Sequence, residues 1–324
     1  MATLPVSLSS SGPGPRARPL KVGLVLPTLT GSPPGPTLGW RDHLALARAA
    51  EAAGFDSIWV PDELLYRFDD APAVGWWECW TMLSAVAAST ARVELGTFVS
   101  CTNYRNPALL AKMAATVDEI SGGRLILGLG AGWSERQFRT FGYPADHLLD
   151  RFQEALVVIR GLLREGRVTF EGRHYQAQDA ELLPAGPRPG GIPILVGGTS
   201  RRVMRLAVRH AQAWNVFLMG GDCSPGRVPP FLAALDEACA STGRDPATLG
   251  RSAGVMVALS EEPFRVGTSD WTQGALRGTP AELAEQLRAF ARAGIDHLQL
   301  GISPPTAGAV EEVGRVLELL DGGS

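Results

Sequence analysis

The chain has 324 residues, 45% of them hydrophobic and 19% charged, which is typical of an ordinary globular protein. Its net charge of −3 and its lack of a basic tract argue against nucleic acid as a partner. No apolar run is long enough to suggest a membrane span, and the four cysteines lack the CxxC spacing of a zinc site. We therefore expect a cytoplasmic protein that binds a small molecule and neither a membrane nor a metal.

The first predicted segment is a tail. Residues 1–19 are rich in Ser, Gly and Pro, and they lack the apolar core of a signal peptide. Such a composition predicts a disordered segment. Residues 20–324 are then predicted to form a single domain.

From residue 21 onward, short apolar runs alternate with longer amphipathic segments. The runs are predicted strands at residues 21–26, 57–60, 93–99, 124–130, 194–196, 213–217, 254–258 and 297–302. The amphipathic segments are predicted helices at residues 38–53, 77–89, 107–120, 151–164, 201–210, 227–241, 280–293 and 309–320.

This alternation predicts an α/β fold, a (β/α)8 TIM barrel. An insertion between strands 4 and 5 is predicted to hold the helix at residues 151–164 and a hairpin near residues 168–177. A doubly wound open sheet is the structural alternative. Its dinucleotide-binding form is disfavoured because no GxGxxG follows the first strand. In a TIM barrel, the chemistry lies on the loops after the carboxyl ends of the strands.

The clearest anion-binding pattern follows the fifth predicted strand. Gly197 and Gly198 end that strand, and Thr199 and Ser200 then open a helix. Glycines allow a phosphate to approach the backbone, and a helix N-terminus offers free N–H donors and a partial positive charge. The same pattern also suits a plain glycine turn with an N-cap, so the residues alone leave both interpretations open.

Three residues are candidates for catalysis. Asp62 and Glu63 directly follow the second strand, where paired carboxylates can bind a hydroxyl, serve as a base or hold a metal. Solvated loop acids are the alternative, and neither a DxD motif nor a neighbouring His completes a metal site. His147 is the one histidine of five that is predicted on a loop at the carboxyl face.

A glycine cluster ends the fourth strand at Gly128, Gly130 and Gly132, followed by Trp133 and Ser134. Gly128 is predicted to relieve crowding inside the barrel. At Gly130 and Gly132 the missing Cβ could admit a phosphate, let a planar ring come close to the backbone, or only allow a tight turn, and the residues alone leave these open. Trp133 and Ser134 would be the first side chains to face that ring.

Several stretches together resemble the bacterial luciferase-like family of flavin- or deazaflavin-dependent oxidoreductases. They are AGFDSIWVPDEL, LGTFVSCTNYRNPALLAKMAATVDEISGGRLILGLGAGWSERQFRTFGYP, VTFEGRHY, IPILVGGTS and GTPAELAEQLRAFARAGIDHLQL. The resemblance implies a TIM barrel that binds coenzyme F420, or alternatively FMN, at its carboxyl-terminal mouth. It also implies that Gly197, Gly198 and Thr199 hold the cofactor phosphate, and it suggests a homodimer.

The family often has a non-prolyl cis peptide at the end of strand three, which would fall at Phe98–Val99 here. Ser100, Cys101 and Asn103 would then line the cofactor ring.

The chain departs from the family pattern at two positions. Deazaflavin members commonly read Asp-His or Glu-His after strand two, and this chain reads Asp62-Glu63. Glu63 could replace the catalytic His only if burial raises its pKa toward neutrality. The second departure is Ser134, where Asn is frequent.

The resemblance implies an oxidoreductase that transfers a hydride between coenzyme F420 and a small organic substrate. The alternatives are an FMN-dependent monooxygenase that uses reduced flavin and oxygen, a non-catalytic flavin-binding protein, and an unrelated phosphate-ligand barrel such as an aldolase. No lysine follows a strand, which disfavours Schiff-base chemistry. The loops at residues 64–75, 220–229 and 261–277 are expected to set the substrate, and they carry no diagnostic motif.

Overall fold

A closed barrel of eight parallel strands forms the centre of the molecule. The computed structural model describes residues 18–30 and 36–322. The barrel strands are β1 (Lys21–Val25), β2 (Ser57–Val60), β3 (Glu94–Thr97), β4 (Leu125–Gly130), β5 (Ile194–Gly197), β6 (Ala213–Phe217), β7 (Gly250–Ala258) and β8 (His297–Ser303). Each strand pairs with the next, and β8 pairs with β1, which closes the barrel. The predicted TIM barrel is confirmed.

Helices surround the barrel. They are α1 (Trp40–Ala52), α2 (Cys79–Ser89), α3 (Pro107–Ser121), α4 (Glu135–Phe141), α5 (Leu148–Glu165), α6 (Arg201–His210), α7 (Pro229–Thr242), α8 (Pro280–Arg292) and α9 (Ala307–Asp321). Helix α5 packs between α3 and α6, so it takes the place of the barrel's own fourth helix. The prediction that the helix at residues 151–164 belongs to the insertion is therefore wrong. The additions between β4 and β5 are α4 and an antiparallel hairpin, Arg167–Glu171 with Gln176–Glu181.

Local sequence fixes the helix ends. Asn106 caps α3 by accepting hydrogen bonds from the backbone N–H groups of Ala108 (2.9 Å) and Leu109 (3.3 Å). Gly122 ends α3 in the left-handed conformation at φ 67°. Thr279 and Glu282 form a capping box at the start of α8, with Pro280 in its first turn.

Two strands differ from their predicted bounds for identifiable reasons. Strand β3 ends at Thr97 because the Phe98–Val99 peptide is cis and interrupts the ladder, which resumes when Ser100–Cys101 pairs with β4. Strand β7 begins four residues before the predicted position 254, at Gly250. Its first half is polar, with Ser252 paired to β8, and therefore lacks an apolar pattern.

The lower half of the barrel is filled by one large ring. Trp59 on β2 is fully buried, and a Cβ at Gly23 or Gly96 would overlap it. Its indole N–H donates to Ser57 Oγ (2.7 Å), which in turn lies 2.8 Å from His297 Nε2. Burial, and secondarily the charge of Lys21, lowers the pKa of His297 to about 3, so this histidine is a neutral core residue. Ser57 and His297 begin their strands, so these contacts pack the amino end of the barrel interior.

An ion pair joins the first described residue, Arg18, to Asp321 at the end of α9. Of the predicted tail, residues 1–17 lie outside the described residues. Arg18 is ordered and buried, with its Nε 2.8 Å from Asp321 Oδ1 and its Nη1 3.4 Å from Asp56 Oδ2. Within residues 18–30 and 36–322, no helix is both long and apolar enough to cross a membrane.

Candidate functional site

A large cavity opens at the carboxyl ends of the barrel strands. Its volume is about 760 Å³, within the range of roughly 300–1,000 Å³ that is typical of small-molecule sites. Segments at or after all eight strands contribute to its wall. The cavity therefore lies where the barrel topology predicts chemistry.

Most of the predicted site residues line this cavity. They are Asp62, Glu63, Phe98, Val99, Cys101, Gly130, Gly132, Trp133, Gly197, Gly198 and Thr199. The remaining four, Ser100, Asn103, Ser134 and His147, do not line it.

The Asp62 carboxylate is buried and fully hydrogen-bonded, so it is not a free acid. Its side chain is 0% exposed, and Arg105 binds both carboxylate oxygens, at 2.6 and 3.0 Å. The Ser100 hydroxyl (2.7 Å) and the Cys101 backbone N–H (3.0 Å) also donate to Oδ2. Asp62 thus holds the segment that follows the cis peptide. An acid/base role for Asp62 is not supported, because its oxygens are already engaged by four donors.

Glu63 also lines the cavity, and its carboxyl group is available to react. The Trp133 indole N–H donates to Oε1 (3.0 Å), and the Gln137 amide donates to Oε2 (2.7 Å). Burial raises the pKa of Glu63, and the hydrogen bonds from Gln137 and Trp133 hold this rise back. Tyr66 is a further hydrogen-bonding partner of this carboxylate, which still has a lone pair left for a substrate hydroxyl.

Gln137 on α4 fixes the orientation of Glu63. Its Oε1 accepts from the backbone N–H groups of Leu64 (2.5 Å) and Leu65 (2.7 Å). Because that oxygen is occupied by two donors, the amide NH₂ must point toward Glu63. Gln137 is 1% exposed, so it is a rigid positioning residue.

The Phe98–Val99 cis peptide, which the family resemblance placed at this position, forms the bulge at the cavity floor. The Val99 side chain projects toward two glycines. A Cβ at Gly130 would lie 2.8 Å from Val99 Cγ2, and one at Gly197 would lie 3.1 Å from it. Both glycines are therefore needed to make room for Val99.

The neighbouring glycines also serve packing. A Cβ at Gly128 would overlap the Thr97 carbonyl oxygen, in agreement with the predicted crowding. Gly132 has φ +76°, and a Cβ there would lie 2.5 Å from Phe138 and 2.6 Å from Cys101. The prediction that Gly130 and Gly132 are bare in order to admit a ring is corrected, because their Cβ positions point at protein side chains.

The predicted residues that do not line the cavity have supporting roles. Ser100 is fully buried and links Asp62 to the Trp80 indole N–H (3.0 Å). Asn103 is 5% exposed and accepts a hydrogen bond from the Tyr175 hydroxyl (3.4 Å). Ser134 caps α4 by accepting from the Gln137 backbone N–H (3.3 Å). None of these side chains reaches the open space.

His147 lies on the outer rim, away from Glu63. It has φ 51° at the start of α5, and its Nδ1 lies 3.3 Å from Asp150 Oδ2. Its ring centroid is 5.4 Å from that of His174 at the hairpin tip. One ligand atom from each of His147, Asp150 and His174 lies within 4.8 Å of the others, but Asp150 is already ion-paired with Arg202 at 2.5 Å. The structure therefore does not support a catalytic role for His147 in the cavity.

The segment Gly197–Ser200 forms another part of the cavity wall. Gly198 has φ +134°, and Thr199 and Ser200 are exposed toward the cavity at the N-terminus of α6. Ser200 is the N-cap, with its Oγ 3.3 Å from the Val203 backbone nitrogen. No acidic residue occurs between Gly197 and Arg202, so this wall favours an anion.

Several residues of the site were not predicted from the sequence. Arg105 and Gln137 are 43 and 74 residues from their carboxylate partners, so no local motif joins them. Tyr66 and Trp76 lie on an unpredicted hairpin, Leu65–Tyr66 with Val74–Gly75, and their ring centroids are 4.1 Å apart. The one available signal was the density of aromatic residues in the loop after β2.

Comparison with known proteins identifies the family. The family described as luciferase-like monooxygenase matches residues 20–266. This chain belongs to that family, and the predicted family and class of enzyme are confirmed.

Two curated relatives cover most of the chain. An F420-dependent hydroxymycolic acid dehydrogenase of Mycobacterium tuberculosis is 31% identical over 249 residues, covering 74% of this chain and 66%, slightly less than two thirds, of that protein. An F420-dependent glucose-6-phosphate dehydrogenase of Beutenbergia cavernae is 33% identical over 256 residues, covering 75% of this chain and 71% of that protein.

A solved structure has the same fold. It is an F420-dependent secondary alcohol dehydrogenase in complex with an F420–acetone adduct. The TM-score is 0.77 at 20% identity, and the match covers 93% of this chain and 99% of that chain. At this identity, the likeness shows the fold alone.

Proposed function

We propose that this protein is an oxidoreductase that transfers a hydride between coenzyme F420 and a small organic substrate. The observation that carries the proposal is the pairing, in one cavity, of an anion-favouring wall at Gly197–Ser200 with a reactive carboxyl at Glu63. When bound, F420 supplies the hydride donor or acceptor. The names of the two curated relatives favour F420 over FMN.

The residues present fit a flat, phosphate-bearing cofactor. A Cβ at Gly198 would lie 3.0 Å from Val203, so this turn keeps its backbone bare beside the cavity. The N-terminus of α6 supplies N–H donors for a phosphate. The Val99 bulge gives an apolar floor between that wall and Glu63.

Within this cavity the chain's own residues perform three tasks. The loop Gly197–Ser200 binds the anion, and Val99 supports the flat group from below. Glu63, held by Trp133 and Gln137, exchanges a proton with the substrate oxygen as the hydride moves. The apolar walls exclude water from the reacting atoms.

Ser200→Asp tests the phosphate position. Aspartate is as good an N-cap as serine, so α6 is retained while a negative charge enters the proposed anion site. We expect the affinity for F420 to fall by about ten- to a hundredfold, because a like charge at close range costs roughly 1.4–3 kcal/mol. Fluorescence titration with F420 measures this.

Ser200→Asn is the matched control, because asparagine caps the helix without charge. It should weaken F420 binding far less than the aspartate does. Equal affinities for the two variants would place the phosphate elsewhere in the cavity.

A further inference from the structure

A roof of two short hairpins covers the outer part of the cavity. One hairpin, Leu65–Tyr66 with Val74–Gly75, follows β2, and the other, Arg265–Val266 with Ser269–Asp270, follows β7. They meet at Gly267, which has φ +61° and where a Cβ would overlap the Phe68 ring. The two loops thus touch across the mouth and enclose the space beneath them.

The inner surface of this roof is aromatic. Five aromatic side chains at the roof line the cavity, Tyr66, Phe68, Trp76, Phe264 and Trp271, together with Val266 and Ser269. The ring centroids of Tyr66 and Trp133 are 5.1 Å apart on one side. On the other side, the Phe217 centroid lies 5.9 Å from those of Phe98 and Trp271. These contacts form two aromatic clusters in the cavity wall.

The charges under the roof are all acidic. Among the described residues, the cavity lining includes Asp62 and Glu63 but no lysine, arginine or histidine. Arg105 already neutralises Asp62, which leaves Glu63 as the unpaired charge beside the substrate. An anionic substrate under the roof would be desolvated without a cation and would face a carboxylate.

We propose that the roofed chamber selects bulky, uncharged, apolar alcohols or carbonyl compounds and rejects phosphorylated or carboxylated ones. This inference rests on the proposed hydride transfer, which it deepens by naming the substrate class. The aromatic walls bury the apolar body of such a molecule, and its single oxygen reaches Glu63. The lining of the chamber is therefore unsuited to a sugar phosphate, although one relative bears the name of a glucose-6-phosphate dehydrogenase.

Turnover of three matched alcohols tests the selection. With F420, kcat/KM is measured for 2-butanol, 1-(2-naphthyl)ethanol and 6-(1-hydroxyethyl)-2-naphthoate. We expect kcat/KM to rise by about a hundredfold from the first to the second, because the added ring system is buried. It should fall by about a hundredfold for the third, which adds only a carboxylate. A preference for the carboxylate, or for glucose 6-phosphate, overturns the inference.

Roof variants locate the selectivity. Phe68→Ala and Trp76→Ala are each expected to lower the ratio of kcat/KM for the naphthyl alcohol to that for 2-butanol by about tenfold or more. Phe68→Leu keeps an apolar side chain at the hairpin contact and should lower the ratio less. Trp40→Ala is the control, because Trp40 is 39% exposed and does not line the cavity. An unchanged ratio in both alanine variants overturns the role of the roof.

A binding assay separates this inference from the proposed function. Equilibrium dialysis of 2-acetonaphthone against the cofactor-free protein requires no turnover. Binding that is weakened in Phe68→Ala supports the apolar chamber even if F420 is never reduced, in which case the hydride-transfer proposal alone fails. Failure of the ketone to bind overturns the chamber, while turnover of other substrates with F420 would leave the hydride-transfer proposal intact.

Discussion

Replacing Glu63 with glutamine is expected to slow turnover by about 10²–10⁴-fold while leaving the affinity for F420 unchanged. The substituted amide keeps the size of the side chain, but its single oxygen can accept from only one of Trp133 and Gln137. It cannot exchange a proton with the substrate oxygen, so the loss should appear in kcat. Steady-state kinetics with F420 and an apolar secondary alcohol measure the change.

The dependence of the rate on pH can also be predicted for each direction of the reaction. In alcohol oxidation Glu63 must be ionised, so the rate should fall as the pH drops through its raised pKa. In carbonyl reduction Glu63 must be protonated, so the rate should fall as the pH rises through the same pKa. Both limbs should be absent in Glu63→Gln. Glu135→Gln is the control, since Glu135 is exposed and paired with Arg139 on α4. If Glu63→Gln behaves like this control, another group carries the proton.

Replacing Arg105 with methionine is expected to lower the free energy of unfolding by about 3–5 kcal/mol and Tm by roughly 5–10 °C. The large effect follows from burial, because the Asp62 side chain is 0% exposed and the Arg105 side chain is 11% exposed. Removing the guanidinium leaves a buried carboxylate with only the Ser100 and Cys101 donors. Calorimetry or denaturant unfolding measures the change.

Two further variants make the Arg105 result specific. Arg139→Gln breaks the exposed pair with Glu135 and should cost less than about 1 kcal/mol. The double variant Arg105→Met with Asp62→Leu removes both charges and should be more stable than Arg105→Met alone. A double variant that is less stable than the single one would show that Asp62 does not depend on Arg105.

The barrel could be predicted because each strand carries its own local signal. The runs that became β2 and β6 are short and mostly apolar, and their bounds were predicted without error. The start of β7 was missed because Ser252 and Arg251 are polar, and their place in the barrel is set by pairing with β6 and β8. The roof hairpins were missed because strands of two residues are too short to show a period.

The position of the site could be predicted from the sequence, but the ion pairs and packing contacts between its residues could not. The topology placed Glu63 at the mouth, but from the sequence a raised pKa was only the condition for Glu63 to replace a histidine, and its burial is seen in the structure. The sequence could not show that Asp62 is neutralised by Arg105, because such pairing depends on the distance in space between loops after different strands. For the same reason, the bare faces of Gly130 and Gly132 were assigned to a ligand and not to Val99, Phe138 and Cys101.

Isotope transfer tests the central claim most directly. The protein is incubated without oxygen with F420 and a secondary alcohol that carries deuterium on its carbinol carbon, and the reduced cofactor is examined by NMR. Direct hydride transfer predicts deuterium in the reduced F420, one equivalent for each ketone formed. If F420 takes up no deuterium, and the protein instead inserts an oxygen atom from O₂ when given reduced FMN, the proposal is contradicted and the protein is a flavin monooxygenase.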